Sequence, residues 1–247
     1  MSLINQKDKG FKNLLGSTHP ALIAAWAALI SVGNILPSLP MLGTGGTFSV
    51  SAAFTPLAGI LFGPVGGAIC AAIGGFIGQM IAPHTAWLGI ATFLVGTINA
   101  FSAGMISRGK WIWVLAIMAV GTILWFSTEI GRQAPIFPMV FYSLGAVMAV
   151  AGGTIGVVWM KRSNLFLKGV GIWFASFAAF VAAASIANFL GIIVVQIPAD
   201  VWRFLAWVSP WERTVFALGA AVIGVPLLTA LPKIGIFVGP EDEEYDE

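Results

Sequence analysis

Few side chains of this sequence are suited to acid–base, nucleophilic or metal chemistry. There are two histidines, His19 and His84, and one cysteine, Cys70. Of the ten acidic residues, six lie together in residues 241–247. A metal site needs several such ligands at close spacing, and a catalytic triad needs a nucleophile, a base and an orienting acid. Neither pattern is present, so we predict a protein that is not an enzyme and that uses no metal and no cofactor.

The remaining polar side chains are better suited to binding a small molecule. They fall at the ends of long apolar segments and in the polar segments between them, where amides, charges and aromatic rings can fix a ligand. We predict the following substrate-binding residues: Asn34, Thr47, Gln79, His84, Trp87, Glu129, Arg132, Gln196, Asp200 and Arg203. Glu212 and Arg213, at the start of the last apolar segment, are further candidates.

Several of these candidates also have a simpler explanation. Glu129 with Arg132, and Asp200 with Arg203, are spaced three residues apart and could form surface ion pairs worth about 0–1 kcal/mol. His84 follows a proline and could be an ordinary loop histidine at the membrane interface. The sequence alone leaves both explanations open.

The composition shows which elements must position these residues. The chain has 247 residues, of which 58% are hydrophobic and 9% charged, and its mean hydropathy is +0.95. Soluble domains carry about 25% charged residues, so an ordinary soluble enzyme is excluded, and disorder would need low hydrophobicity. A net charge of +2 does not indicate nucleic acid binding. The apolar blocks do not alternate as barrel strands do, so we predict an all-α, polytopic transmembrane helical bundle in the cell membrane.

Charged residues and turn formers divide the chain into about eight apolar spans, within a range of six to eight because two are short. The spans are 20–35, 51–62, 65–81, 86–106, 111–126, 139–160, 170–195 and 213–231. The polar segments between them include 36–50, 127–138 and 196–212. Within the last of these, residues 201–207 are expected to form an interfacial helix anchored by Trp202 and Trp207, and a role as a lid is the alternative. The predicted organisation is therefore a cytoplasmic N-terminal segment (1–19), a helical domain (20–233) and a disordered acidic cytoplasmic tail (234–247).

Lysines and arginines predict the orientation. With eight crossings and a cytoplasmic N-terminus, the cytoplasmic side holds Lys7, Lys9, Lys12, Arg108, Lys110, Lys161, Arg162, Lys168 and Lys233. The outer side holds Arg132, Arg203 and Arg213. This excess follows the positive-inside rule and places both termini in the cytoplasm. The predicted binding residues then face the outside.

Small residues recur every four positions in the second and third spans, at Gly59, Gly63, Gly67, Ala71 and Gly75. This spacing lets neighbouring helix backbones approach closely. Packing within the bundle is the simpler explanation, and docking to another membrane protein is the alternative. Asn99 and Asn188 lie inside spans and could simply hydrogen-bond a neighbouring helix.

Three features of residues 20–110 occur in a characteristic order. The first span contains Ala-x-x-x-Ala spacing, a loop (36–50) follows, and a proline-bearing second span ends in the sequence LAGILFGPVGG at residues 57–67. The alanines of the first span are Ala21, Ala24, Ala25 and Ala28. This order resembles the substrate-binding S components of energy-coupling-factor (ECF) importers, whose second and third helices are joined by a similar tight cytoplasmic link.

The resemblance implies a membrane subunit that captures a small vitamin or micronutrient on the outer face. It would dock through Ala21, Ala24, Ala25 and Ala28 onto a membrane coupling subunit that works with two ATPase subunits. The chain itself lacks a Gly-x-x-x-x-Gly-Lys-Ser/Thr phosphate-binding sequence, in keeping with such a role. The alternative is a self-contained secondary transporter or channel for a small solute. That alternative would predict internal repeats and charged residues deep within the spans, and the sequence shows neither.

Overall fold

A computed structural model of the protein describes residues 20–40, 47–236 and 238–240, without the side chains of 37–39. The predicted N-terminal segment 1–19 and residues 241–247 of the predicted tail lie outside the described residues. The helices are α1 (Pro20–Gly33), α2 (Ser51–Ile81), α3 (Thr92–Ser107), α4 (Trp111–Ser127), α5 (Glu129–Gln133), α6 (Pro138–Lys161), α7 (Leu165–Val194) and α8 (Ala199–Ala230). Two short strands, β1 (Pro37–Pro40) and β2 (Thr47–Ser49), pair antiparallel between α1 and α2. Single 3-10 turns occur at Pro83–Thr85, Gly89–Ala91 and Pro232–Ile234.

The helices have the length and the surface of a membrane protein. Five helical segments of the described chain are long and apolar enough to cross a bilayer: Ser51–Ile81, Gly89–Ser107, Pro138–Lys161, Leu165–Val194 and Ala199–Ile234. α1 and α4 are shorter and also apolar. Large aliphatic side chains such as Ile123 and Val222 are more than two-thirds exposed, as expected for a surface covered by lipid. The protein is thus a multi-pass helical membrane protein, and its predicted all-α class is confirmed at that level.

α2 folds back on itself at Gly63. This glycine has φ 80° and ψ 172°, which is not helical, and Pro64 follows it where a helix can begin without its N–H group. A Cβ atom on Gly67 would overlap Gly59 and lie 2.7 Å from the carbonyl carbon of Ala58. In a straight helix residues eight apart are separated by about 12 Å. The two halves, α2a (residues 51–62) and α2b (residues 64–81), therefore form a hairpin with its turn where the sequence predicts one.

Small residues bring the first helices into backbone contact. A Cβ atom on Gly74 of α2b would lie 2.6 Å from the carbonyl oxygen of Ala27 in α1. This proximity places the Ser31 Oγ between two backbone carbonyls, to which it donates a shared hydrogen bond: Gly74 at 3.0 Å and Ala27 at 2.9 Å. The Cys70 thiol donates to the Ile23 carbonyl at 3.5 Å in the same interface. Gly74 thus serves packing within the bundle.

α7 forms the centre of the second half of the bundle. Every residue from 175 to 185 is buried, and the run is rich in alanine. Glycines of the surrounding helices meet it closely: a Cβ on Gly121 of α4 would lie 2.5 Å from the Ser185 Cβ, and one on Gly152 of α6 would lie 3.3 Å from the Ala175 nitrogen. Small residues on both sides allow α7 to contact several helices at once.

One predicted polar segment is largely helical. Residues 196–212 are predicted as a polar segment with an interfacial helix at 201–207. The structure has a longer helix, because α8 begins at Ala199 and continues through Pro210 into the last span. Trp202, predicted as an interfacial anchor, is instead buried, because its ring packs edge-on against Trp125 and Phe137, with centroids 5.0 and 5.1 Å away. This contact buries one face of the first turns. Asp200 and Arg203 lie on the exposed face of these turns.

Two other predicted boundaries also differ. The segment 36–50 contains β1 and β2 rather than only irregular chain, because antiparallel pairing satisfies backbone groups that cross the end of an apolar bundle. α7 begins at Leu165, five residues before the predicted start of that span, because Asn164 caps it by accepting from the backbone nitrogens of Phe166 and Leu167.

The Gly63 end of the bundle is closed by the last described residues. The Gly239 N–H donates to the Leu61 carbonyl at 2.9 Å, and Val238 is 4% exposed. The Arg108 guanidinium donates to the carbonyls of Gly59 and Gly239 at 3.4 and 3.2 Å. Residues 238–240 of the predicted tail are therefore packed against the hairpin turn.

Candidate binding site

A cavity of about 150 Å³ lies at the end of the bundle opposite the Gly63 turn. Its wall is built by α1, both halves of α2, α3, α7 and α8, and β2 and the turn around Trp87 complete it. The site therefore combines the two halves of the bundle and the β-hairpin. Its lining is mostly apolar, with a minority of polar side chains, as is typical of small-molecule sites.

Asn34 joins the hairpin to the helices beside the cavity. Its Oδ1 accepts hydrogen bonds from the hydroxyls of Ser49 and Ser51 at 3.0 and 3.1 Å, while its Nδ2 donates to the Ile30 carbonyl at 2.9 Å. The Asn34 side chain is buried, and Gly78 leaves room for it because a Cβ there would overlap its amide. We infer that Asn34 mainly holds β2 over the cavity.

Gln79 also lines the cavity, but its amide is already used by the protein. Its Nε2 donates to the Ile90 carbonyl at 3.1 Å, and its Oε1 accepts from the Phe93 backbone N–H at 3.0 Å. The second bond satisfies one of the amides that the first turn of α3 leaves without a helical partner. Gln79 therefore fixes the start of α3 beside α2b.

Three polar side chains in the wall have hydrogen-bonding atoms without protein partners. Both amide atoms of Asn99 are buried and unpaired within the described residues, and Asn99 is 3% exposed. The hydroxyl of Thr47 and the Nε of Arg213 are likewise unpaired in the described chain. Buried polar atoms without partners cost about 1–3 kcal/mol each. A polar ligand or water in the cavity would satisfy these atoms.

Arg213 is held in the cavity wall by aromatic rings. Its guanidinium carbon lies 4.6 Å from the centroid of the Phe48 ring and 6.0 Å from that of Phe180. A cation over an aromatic face gains about 0.5–2 kcal/mol, more when desolvated. Phe216 packs against the same two rings, with centroids 5.0 and 6.1 Å away. This packing fixes the position of the charge.

Aromatic side chains shape the rest of the wall. Phe48 and Phe180 are joined in the lining by Phe93 of α3 and by Trp87. Trp87 reaches across to the end of α7, where a Cβ on Gly191 would lie 3.1 Å from the edge of the indole. Flat rings on several sides favour a planar ligand.

Four of the ten predicted binding residues line the cavity: Asn34, Thr47, Gln79 and Trp87. His84 lies in the 3-10 turn that supplies the cavity-lining Thr85, but its own side chain is exposed. Gln196 is exposed in the turn after α7, with φ 55°. A binding role for all ten stays a prediction.

The four charged residues among the predicted set lie outside the cavity lining. Asp200 and Arg203 form an exposed ion pair of 2.6 Å, and Arg203 also donates to the Gln133 carbonyl at 2.7 Å. Arg132 donates to the carbonyls of Phe126 and Ser127 at 3.2 Å, near the end of α4. Glu129 accepts a 3.5 Å hydrogen bond from the Gln133 amide. These contacts favour a structural role for the group.

Sequence reasoning gave too little weight to the asparagines inside the spans. Asn99 has the unpaired amide described above, whereas the Asn188 Nδ2 donates to the Tyr142 hydroxyl at 3.3 Å. Both line the cavity. A polar side chain within an apolar span was the available signal, since such residues are costly unless they serve a function or find a partner.

The alanine face of α1 points away from the bundle. Ala21, Ala24, Ala25 and Ala28 are exposed, while Ile23, Ala27 and Ile30 pack inward. Among the described residues, Ala24, Ala25 and Ala28 thus form a smooth, outward-facing surface of α1. Among the described residues no group of three histidine, cysteine, aspartate or glutamate side chains could hold a metal ion.

Comparison with known proteins provides one distant relative. The chain is 25% identical over 167 residues to an uncharacterized protein of Methanocaldococcus jannaschii, a match that covers 65% of this chain and 54% of that protein. The chain thus spans about half the length of the curated relative that it matches. No protein-family description and no solved structure matches the chain.

Proposed function

We propose that the protein is the membrane-embedded substrate-capture subunit of an ATP-driven importer of the ECF type. The observation that carries the proposal is the cavity at one end of the bundle, whose wall holds the half-buried Arg213 cation and an Asn99 amide that is unpaired within the described residues. A site at one end, closed by a short hairpin, suits a subunit that takes a small nutrient from one side of the membrane. The wall supplies aromatic surface and a few fixed polar atoms.

The proposal includes a membrane orientation. α1, α2a, α2b, α3, α4, α6, α7 and α8 would make eight crossings, with the cavity outside and the Gly63 turn in the cytoplasm. Arg108 and Lys110 lie near that turn end, and Lys161 and Arg162 end α6 on the same side, which fits the positive-inside rule. Cysteine accessibility in oriented vesicles tests the placement: a cysteine at Arg162 should react from the cytoplasmic side, and one at His84 from the outside.

The exposed alanine face of α1 supplies the proposed docking surface for a coupling subunit that works with two ATPase subunits. Small side chains let helices approach closely, so that dispersion contacts and weak hydrogen bonds accumulate. Leucine at Ala24 and Ala28 would hold a partner helix away. The bundle itself would be undisturbed, since both side chains face outward.

Co-purification tests the docking. The chain is expressed with a coupling subunit and two ATPases from the same organism, and recovery of the complex is compared between the native chain and an Ala24→Leu, Ala28→Leu double variant. Ala116 and Ala119 of α4 are also exposed alanines, so Ala116→Leu with Ala119→Leu is the matched control. We expect complex to be lost only in the α1 variant. Equal recovery from both variants, or solute uptake by the chain alone in proteoliposomes, would contradict the proposal and favour a self-contained transporter.

A further inference from the structure

The described lining of the cavity carries a single charge, and it is positive. Arg213 is the only charged side chain among the described lining residues, and no aspartate or glutamate is part of that lining. Glu212 precedes Arg213 in the chain and interacts with it electrostatically, but Glu212 does not line the cavity. A cation in a mostly apolar wall is costly, and a bound anion inside the cavity offsets that cost. The cavity therefore favours a negatively charged ligand over a positively charged one.

The hydrogen-bonding atoms of the cavity show what else the ligand must offer. The amides of Asn34 and Gln79 are used by the protein, whereas the Asn99 amide has a free oxygen and a free NH2 group within the described chain. An amide presents its donor and its acceptor in one plane. A ring edge with hydrogen-bonding atoms would pair with it.

Size and shape limit the ligand further. A volume of about 150 Å³ equals that of an engineered protein cavity that binds a single benzene ring. Aromatic side chains at Phe48, Trp87, Phe93 and Phe180 line several sides of the space. The wall thus suits a flat ring of about that size rather than a branched or bulky solute.

We propose that the cavity binds a planar, single-ring monoanion: an aromatic or heterocyclic carboxylate with its carboxylate at Arg213 and a polar ring edge at Asn99. The inference rests on the proposed function only in taking this cavity as the substrate site. Arg213 is already oriented by two phenylalanine rings, so little ordering of its side chain is needed when the anion binds.

Three probes of the same size test the sign of the charge. The purified full chain in detergent is titrated calorimetrically with pyridine-3-carboxylate, its neutral amide pyridine-3-carboxamide, and the cation 3-(aminomethyl)pyridine. We expect the carboxylate to bind about 10-fold to 100-fold more tightly than the amide, from one charge-assisted hydrogen bond, and the cation not to bind. Equal or tighter binding of the amide or the cation overturns the proposal, as does no binding of the carboxylate at millimolar concentration.

Two variants test where the ligand binds, and a third variant serves as the control. Arg213→Gln should lose the preference for the carboxylate, while Arg162→Gln, an arginine at the other end of the bundle, should keep it. Asn99→Asp adds a negative charge that offsets the Arg213 charge in the wall and should abolish the preference for the carboxylate. This second variant decides the matter even if Arg213→Gln fails to fold. An unchanged preference in Asn99→Asp overturns the proposal.

The titration separates this inference from the proposed function. It uses the isolated chain, without coupling subunit or ATP, so loss of docking in the co-purification experiment leaves its result unaffected. Failure of all three probes alongside intact docking would remove the ligand class and retain the importer subunit.

Discussion

Gly104 of α3 provides a sharp test of how closely the hairpin turn is packed. A Cβ atom on Gly104 would lie 2.6 Å from both the nitrogen and the Cα of Pro64 and 2.8 Å from the carbonyl carbon of Gly63. All three are backbone atoms, and two belong to a rigid proline ring. Neither a rotamer change nor a flexible side chain can relieve the overlap, so Gly104→Ala must push α3 away from the turn.

The cost can be estimated from this geometry. Carbon contacts are most favourable at about 3.5–4.0 Å, so the two segments must separate by about 1 Å. Overpacking of a well-packed site costs about 1–3 kcal/mol, and we take the upper value because only backbone can yield. Alanine regains about 1 kcal/mol relative to glycine in a helix. The net loss is therefore about 2 kcal/mol, or about 4–8 °C in melting temperature for a chain of this size.

Thermal unfolding in detergent measures the effect, with the ten tryptophans as the fluorescence probe. Gly66→Ala in α2b is the matched control, since its Cβ would meet the Phe62 Cβ at 3.4 Å and the Ile23 side chain at 3.8 Å, which is ordinary contact. The control should melt at or slightly above the native temperature. The reasoning is refuted if Gly104→Ala melts no lower than the native protein, or if both variants fall equally.

Three further predictions follow from the polar and aromatic contacts. Trp125→Ala should lower the free energy of unfolding by about 3–5 kcal/mol in a denaturant titration. The fully buried ring stacks on Phe137, and its Nε1 donates to the Gly131 carbonyl at 2.9 Å. A loss below about 1 kcal/mol would contradict this packing. Asn34→Ala should lower the melting temperature by several degrees. The buried hydroxyls of Ser49 and Ser51 lose their shared acceptor, and because they can pair only with each other, one donor is left unpaired at about 1–3 kcal/mol; an unchanged melt would contradict this. Asp200→Asn should change the stability by less than about 1 kcal/mol, because its 2.6 Å ion pair is exposed, and a larger loss on unfolding would mean that the pair acts as part of a network.

Elements bounded by local signals were predicted well. The predicted spans 111–126 and 139–160 agree within one residue at each end with α4 (Trp111–Ser127) and α6 (Pro138–Lys161). Their limits coincide with a Gly-Lys pair and a Lys-Arg pair, which break an apolar run in any context. The turn at Gly63 is another such case, because a glycine followed by proline favours a chain reversal wherever it occurs.

Elements that depend on distant partners were predicted poorly. The sequence indicated an interfacial helix at 201–207 within a polar segment, but not that this helix is continuous with the last span. Nor did it show that Trp202 packs against Trp125, 77 residues away in the chain, and so forms a buried helix face. The candidate site shows the same division. The sequence indicated residues at the ends of the spans, and four of these line the cavity, but it did not distinguish those facing inward from those forming surface contacts.

The sequence by itself determined that this is a helical membrane protein with small residues at its contacts, because hydrophobicity and glycine spacing act locally. Which polar groups meet was decided only by the tertiary structure. Asn99 and Arg213 are 114 positions apart and share one cavity because α3 and α8 both pack beside α2a, at Gly96 with Thr55 and at Gly219 with Ala53. The rotation of each helix about its axis selects the side chains that face the cavity. That rotation is fixed by the contacts among the helices together, so no single span encodes it.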